Sequence, residues 1–199
     1  MLNVYLLRHG QTAWNADGNR YCGRTDLPLT PKGLEQAQLA AAQLQNVTFD
    51  AVYSSPLERA YKTAQLASGN LPVTTDERLI EADFGLWEGK RKEEFIPENE
   101  ALWQDWCQDP MQTKAGGTGE TAGEVIARVE DFYMSLVKKH PAGNVLTVAH
   151  NGVNRFYLAY KLGMPVRNYR KFVIDNSSVT MFELDAVGEL SLVHLNSKL

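Results

Sequence analysis

Along the chain, short apolar runs alternate with stretches in which apolar residues recur every three or four positions. Leu2 to Leu7, with Val4 and Tyr5, reads as a buried strand that stops at Arg8-His9-Gly10. A loop rich in Asn, Gly and Asp follows from Asn15 to Leu29. Thr30-Pro31 predicts an N-cap and first helical residue, with Leu34, Ala37, Ala41 and Leu44 as the helix's apolar face. Phe49 to Tyr53 predicts a second strand. The next helix is expected to open at Ser54-Ser55-Pro56-Leu57-Glu58, with Ser55 and Glu58 as a capping box and Pro56 at the first helical position. Its small residues Ala60, Ala64 and Ala67 allow a close approach to a sheet.

Leu71 to Thr75 is a weaker strand pattern. Thr121-Ala122-Gly123-Glu124 forms a second capping box, and Val125, Val129, Phe132 and Leu136 follow at helical spacing until His140-Pro141. Val145 to Ala149 is a β-branched strand ending at His150-Asn151-Gly152, and a helix with Val153, Phe156, Tyr157 and Tyr160 comes next. Ser178 to Leu184 and Leu190 to Leu195 read as a terminal strand pair around Val187-Gly188. Strands alternating with helices predict an α/β sandwich whose sheet is largely parallel. The segment from about Glu88 to Gly119, with Trp103, Trp106, Pro97, Pro110 and Gly116-Gly117-Thr118-Gly119, fits that alternation poorly. It is read as an insertion capping a pocket, within a single domain spanning 1–199.

Length and composition narrow the class. A chain of 199 residues with 44% hydrophobic and 22% charged residues suits one soluble domain with a substantial core. The net charge of -4 argues against nucleic acid or an anionic membrane as partner, so a substrate phosphate has to be attracted by local arginines. The chain opens Met1-Leu2-Asn3-Val4-Tyr5, without the basic flank and long apolar region of a secretory signal. No stretch approaches the roughly 18 apolar residues of a membrane span. Cys22 and Cys107 are far apart, with no histidine at metal-ligand spacing, and read as reduced thiols of a cytoplasmic protein.

The chemistry is expected at three strand ends, which carry Arg8-His9-Gly10, the approach to Arg59, and His150. In open α/β sheets, ligands bind beyond the carboxyl ends of the strands. Parallel neighbours would bring two arginines and two histidines to one rim, beside helix N-termini whose free N–H groups favour an anion. Guanidinium forks suit the oxygens of a phosphoryl group, and a neutral imidazole fixed through one nitrogen is a nucleophile at pH 7. Gly10 leaves room for close backbone approach. A leaving alkoxide needs a proton, and Glu81 is the candidate acid. Asp83 is its rival, since both face one side of an extended segment. His140, beside Lys138-Lys139 at a helix end, and His194, in an alternating strand, are given structural roles, and the four tryptophans packing roles.

Taken together, the order of motifs resembles the histidine phosphatase (phosphoglycerate mutase-like) superfamily over essentially the whole chain. Leu6-Leu7-Arg8-His9-Gly10-Gln11-Thr12 with Asn15 is similar to its N-terminal signature, followed by Ser54-Ser55-Pro56-Leu57-Glu58-Arg59, the acidic Glu81–Gly85 segment and Ala149-His150. The resemblance implies a three-layer α/β/α sandwich and a metal-independent reaction without a cofactor. It implies His9 as nucleophile, Glu81 as proton donor, and Arg8, Arg59 and His150 as the phosphate pocket, with Asn15 as a further contact. Gln11 replaces the usual acidic residue. Asn151 stands where many members have glycine, narrowing the phosphate pocket or adding a hydrogen bond to it.

Gly23 to Thr30 and Glu81 to Gly89 are similar to the small phosphatase branch, with the α-ribazole phosphatases as the nearest named group. Ala82-Asp83-Phe84 replaces the Arg-His-Tyr typical of the mutases, which ranks a phosphatase of a small phosphorylated metabolite above a phosphoglycerate mutase. A non-catalytic phosphate-binding module ranks third, because nucleophile and acid candidates are both present. Specificity is expected from the lid and from the Asn19 to Thr25 loop. Arg24 and Lys90 are read as contacts to a second anionic group or as solvated surface charges. The chain is expected to be a monomer or a homodimer, the latter if the terminal strand pairs with another chain.

Overall fold

Strands whose residues are apolar on successive positions end up at the centre of the sheet, where both faces are covered. The computed structural model describes residues 1–198; Leu199, the last residue of the expected domain, lies outside them. Six strands, β1 (Leu2–Arg8), β2 (Ala51–Ser54), β3 (Val73–Thr75), β4 (Gly143–Ala149), β5 (Val179–Leu184) and β6 (Leu190–Ser197), form one sheet in the order β3-β2-β4-β1-β5-β6. β1 to β4 run parallel to one another, while β5 and β6 are antiparallel additions at one edge, β5 pairing with β1. The Asp185 side chain closes the β5–β6 hairpin by accepting from the Val187 and Glu189 N–H groups.

After β1 comes the short α1 (Ala13–Ala16), and longer helices cover both faces of the sheet. α2 (Pro31–Leu44) and α3 (Glu58–Ala67) cover one face, packing Ala40, Leu44, Ala60 and Ala64 against Leu7, Val52, Leu146 and Val148. α6 (Ala122–Lys139) and α7 (Asn151–Lys161) cover the other, against Leu2, Val4, Leu6, Val145 and Phe182. Val125, Val129, Phe132 and Leu136 of α6 are all buried, as their spacing predicts. Each such side chain stabilises the fold by about 1.5–3 kcal/mol relative to exposure. The Thr121–Glu124 capping box forms at 3.0 and 2.7 Å, and Thr30 caps α2 through the Gly33 N–H at 3.0 Å.

Two local expectations give way. The buried face of α2 is Gly33, Ala37, Ala40 and Leu44 rather than the line through Leu34 and Ala41, because Gly33 must meet the loop after β1. α3 starts at Glu58 with Leu57 as N-cap, and Ser55 does not cap it. The Ser55 hydroxyl lies 2.7 Å from His150 Nε2 instead, and the Glu58 N–H donates to the Asp26 carboxylate at 2.9 and 3.2 Å. A carboxylate from another loop thus does the work expected of the serine.

The segment 88–119 contains α4 (Lys92–Phe95) and α5 (Glu100–Gln108). Phe95 and Trp106 join Trp87 in the core cluster, with Trp87 stacked on Phe95 at 4.9 Å, and the Trp106 indole N–H donates to Tyr169 Oη at 3.2 Å. Among the described residues, no helix is long and apolar enough to cross a membrane.

The site follows from the strand order. The chain visits β4 after β1 and β2, yet β4 lies between them, so a crevice opens at their carboxyl ends. Arg8 pairs with Ala149, and Ser54 with Val148. His9, Ser55 and His150 are therefore the first residues past three adjacent strands.

Candidate active site

His9 is buried and tied to the sheet by its own N–H, which donates to the Ala149 carbonyl at 3.0 Å. Its ring Nδ1 sits 2.7 Å from the Gly10 carbonyl oxygen. A carbonyl only accepts, so Nδ1 carries the proton and Nε2 presents its lone pair. Burial, helped by Arg59 and Arg8, holds the imidazole pKa well below its usual 6.5 and keeps the ring neutral. Gly10 is required by chain packing: a Cβ there would lie 2.4 Å from the Gly33 carbonyl oxygen. The Gly10 N–H donates to Thr63 Oγ1 at 3.0 Å, and that hydroxyl donates to the Arg59 carbonyl, so α3 also braces the loop.

Glu81 lies against the N-terminus of α7. One carboxylate oxygen accepts from the Ala82 and Val153 N–H groups at 2.8 and 3.1 Å, the other from Gly152 at 3.0 Å. The anion expected at this helix end is thus the protein's own carboxylate. Burial raises the Glu81 pKa while the three N–H donors work against that rise. Asp83 turns elsewhere and caps the Gly85 N–H at 2.8 Å. The Glu81 segment is held from outside by Arg128, whose guanidinium donates to the carbonyls of Arg78, Ile80 and Glu81 at 2.8, 2.7 and 3.3 Å.

Arg59 and His150 are both fully buried. Arg59 Nε donates to His150 Nδ1 at 3.3 Å, which leaves His150 Nε2 as the protonated nitrogen donating to Ser55 Oγ at 2.7 Å. The Arg59 terminal nitrogens donate to the Thr25 and Gly23 carbonyls, each at 2.8 Å. Glu88 binds the N–H groups of Gly23 and Thr25. A cation therefore holds the carbonyls and an anion the N–H groups of one loop.

These groups surround a cavity of about 400 Å³, within the usual size of small-molecule sites, about 300–1,000 Å³. Arg8, His9, Asn15, Glu81 and Asn151 line it, whereas Arg59 and His150 are fully buried with their donors on protein partners. Arg8 Nη1 donates to the Ile174 carbonyl at 2.9 Å. The Asn15 side-chain oxygen accepts from the Thr12 N–H and Oγ1 and from Asn176 Nδ2, leaving its NH₂ as the end free for a ligand. The Asn151 side-chain oxygen is buried without a partner.

This constellation can be set beside known proteins. Residues 4–198 match the histidine phosphatase superfamily (branch 1). The chain belongs to that superfamily. Among curated relatives, phosphoserine phosphatase 1 of Hydrogenobacter thermophilus is 33% identical, covering 93% of this chain and 88% of its own. The adenosylcobalamin/α-ribazole phosphatase of Escherichia coli K12 is 34% identical over 92% of this chain and 91% of its own. Relatives named as probable phosphoglycerate mutases, such as that of Yersinia pestis, match at 31%, over 90% of this chain and 84% of theirs. The crystal structure of phosphoserine phosphatase from Entamoeba histolytica, in complex with 3-phosphoglyceric acid, superposes with a TM-score of 0.89 at 31% identity, covering 100% and 98% of the two chains. Histidine phosphatase chemistry and the phosphoglycerate mutase-like sandwich expected from the motifs are both those of this family.

The histidine phosphatase cavity also contains residues that sequence reasoning passed over. Lys92, Arg155 and Arg170 line it, whereas Arg24 and Lys90 do not and are paired with Glu120 and Glu98. Arg155 had one available signal: it lies four residues after Asn151, hence on the same face of α7. Arg170, in a 3-10 turn spanning Val166–Lys171, had none. Of the segment read as a lid, Lys92 reaches the cavity; of the Asn19 to Thr25 loop, Asn19 to Cys22 do.

Proposed function

We propose that this chain hydrolyses a small phosphomonoester without a metal ion, through a phosphoryl group carried on His9. The observation that carries the reading is the neutral His9 ring, anchored through Nδ1 to the Gly10 carbonyl with Nε2 free, beside Arg8 and Glu81 on one cavity wall. In the first step Nε2 attacks phosphorus, the P–O ester bond breaks, and the leaving oxygen takes the Glu81 proton. Burial favours the protonated acid beforehand, and the three N–H donors stabilise the carboxylate formed. In the second step water attacks phosphorus, Glu81 takes its proton, and the N–P bond breaks to release phosphate and neutral His9. The Gly10 carbonyl accepts from Nδ1–H throughout and steadies the positive charge on the phosphorylated ring.

Arg8 supplies the main guanidinium contact, with Asn15 and Asn151 offering side-chain amides. Arg59 adds positive charge at close range and positions His150, which in turn holds Ser55 at the end of β2. Fixed guanidinium charge does here what a metal does elsewhere in phosphoryl transfer. The substrate is a small phosphorylated metabolite, as for the relatives named as phosphatases. Cys22 and Cys107 are both free, which supports a reducing cytoplasmic setting.

The test is phosphate release from an activated aryl phosphate with chelator present, comparing wild type with His9→Ala. Turnover that survives chelation and drops by about a thousandfold or more in the variant is expected. Chelator-sensitive turnover, or an active His9→Ala protein, overturns the mechanism. A folded wild type that interconverts 2- and 3-phosphoglycerate but releases no phosphate favours the mutase reading.

A further inference from the structure

The cavity carries more positive charge than one phosphoryl group engages. Besides Arg8, it is lined by Lys92 at the start of α4, Arg155 on α7 and Arg170 in the 3-10 turn after α7. Other charged residues around the mouth are neutralised in pairs. Arg20 meets Asp17 and Glu94, and Asp175 meets Lys198. Lys92, Arg155 and Arg170 have no such partner among the described residues, and Arg155 Nε and Arg170 Nη2 are buried with no hydrogen-bond acceptor. Burial, followed for Lys92 by the charge of Arg170, pulls the pKa values of Lys92 and Arg155 down. Arg8 falls to about 10 through burial and then Arg155. Like charges are crowded here in a chain whose net charge is -4.

The crowding is also rigid. The Arg170 guanidinium lies 4.6 Å from the ring centroids of both Trp103 and Tyr169 and donates from Nη1 to Cys107 Sγ at 3.6 Å, which fixes its plane and leaves Nη2 for a ligand. Lys92 lies over the Trp103 ring at 5.7 Å. Unspent donors on a held guanidinium are a preorganised anion site, whereas a solvated surface arginine would be free to reach water.

We propose that Lys92, Arg155 and Arg170 form a second anion subsite, so that the preferred substrate is a phosphomonoester bearing a further carboxylate or phosphate. This rests on the phosphatase reading above and narrows it. The reacting phosphoryl group lies at His9 and Arg8, and the second anion reaches the arginine pair across the cavity. Compounds with an uncharged remainder leave these cations unpaired and lose affinity accordingly.

A size-matched set tests this: glycerol 1-phosphate, 3-phosphoglycerate and glycerol 1,3-bisphosphate, with an aryl phosphate as control. Wild type is expected to show kcat/KM about ten- to hundredfold higher for one or both doubly anionic compounds, the effect of one or two charge-assisted hydrogen bonds. The carboxylate and bisphosphate arms show which anion the subsite takes. Arg155→Gln and Lys92→Gln are expected to raise KM for the preferred compound far more than for glycerol 1-phosphate. A wild-type preference near one, or equal losses on both classes, overturns the subsite and leaves the phosphatase reading standing. If even the aryl phosphate is not hydrolysed, that reading fails, and calorimetric binding of 3-phosphoglycerate, glycerol 1,3-bisphosphate and glycerol 1-phosphate to wild type decides the subsite separately. Similar affinities for all three then overturn it.

Discussion

Replacing Gly152 by alanine perturbs the proton donor without replacing a titratable group. A Cβ at this position would lie 2.7 Å from one Glu81 oxygen and 3.3 Å from its carboxyl carbon. Ordinary contact starts at 3.4 Å, so the carboxylate has to retreat by about 0.7 Å, the difference between those two distances. The bonds it receives from Gly152 and Val153, at 3.0 and 3.1 Å, are the ones lost or stretched. One charge-assisted hydrogen bond is worth about 1.5–3 kcal/mol. Alanine returns up to about 1 kcal/mol as a better helix former, so net destabilisation should stay at about 0.5–3 kcal/mol. The catalytic effect should be larger, because a misplacement approaching 1 Å costs on the order of a hundredfold. It should fall on substrates whose leaving group needs a proton. The assay compares kcat/KM for an alkyl phosphate and for an aryl phosphate with an activated leaving group, with a thermal melt as folding control. A drop of about a hundredfold on the alkyl ester and only a few-fold on the aryl ester is expected. Equal losses on both, in a protein that melts normally, would falsify the assignment of Glu81 as the acid.

Four further outcomes follow from the same geometry. His9 and His150 are both held well below pKa 6.5 by burial and then Arg59, so below about pH 6.5 the unfolded chain binds protons that the folded one refuses. Stability should therefore be full above that pH and fall on acidification by about 1.4 kcal/mol per pH unit for each histidine, and His9→Ala should remove about half the slope. Glu81, whose pKa is raised, acts in the opposite sense just above its ordinary 4.5, so urea midpoints are best compared between pH 7 and 5.5. A flat profile there counts against the buried neutral pair. Asp26→Ala should cost about 1 kcal/mol in urea unfolding, because the α3 N-terminus loses its carboxylate acceptor. Ser55→Ala should leave that cap intact and lower turnover through His150; the reverse pattern would restore Ser55 as the cap. Arg128→Met should lower kcat on alkyl phosphates, since three carbonyls of the Glu81 segment lose their donor; an unchanged kcat would show that the segment holds itself.

Much of this enzyme was legible in its pattern of residues. The strand at Val145 to Ala149, the face of α6 and the caps at Thr30 and Thr121 follow from neighbours a few positions apart, and all four form as read. The motif order also carried the family, and the strand ends expected to carry His9 and His150 lie side by side. Where reading failed, the competing partner was distant in the chain. Ser55 accepts locally from the Leu57 N–H, but in place of the expected Glu58 N–H it takes a bond to a residue 95 positions away. Asp83 and Glu81 are equivalent by alternation, and only the arrival of α7 at Gly152 and Val153 separates them.

The sequence by itself determined the layered α/β class, the family and the list of groups able to handle a phosphoryl group, because periodicity and motif are properties of residues close along the chain. Tertiary structure alone decided how those groups are used. It turned Arg59 toward the Thr25 and Gly23 carbonyls and left Arg8 on the cavity wall. It also paired Arg24 and Lys90 with carboxylates while leaving Lys92, Arg155 and Arg170 without one among the described residues. An arginine's charge is written in the chain, but whether it is neutralised depends on which side chain stands within about 4 Å, where Coulomb attraction is strong. Only packing brings that partner there.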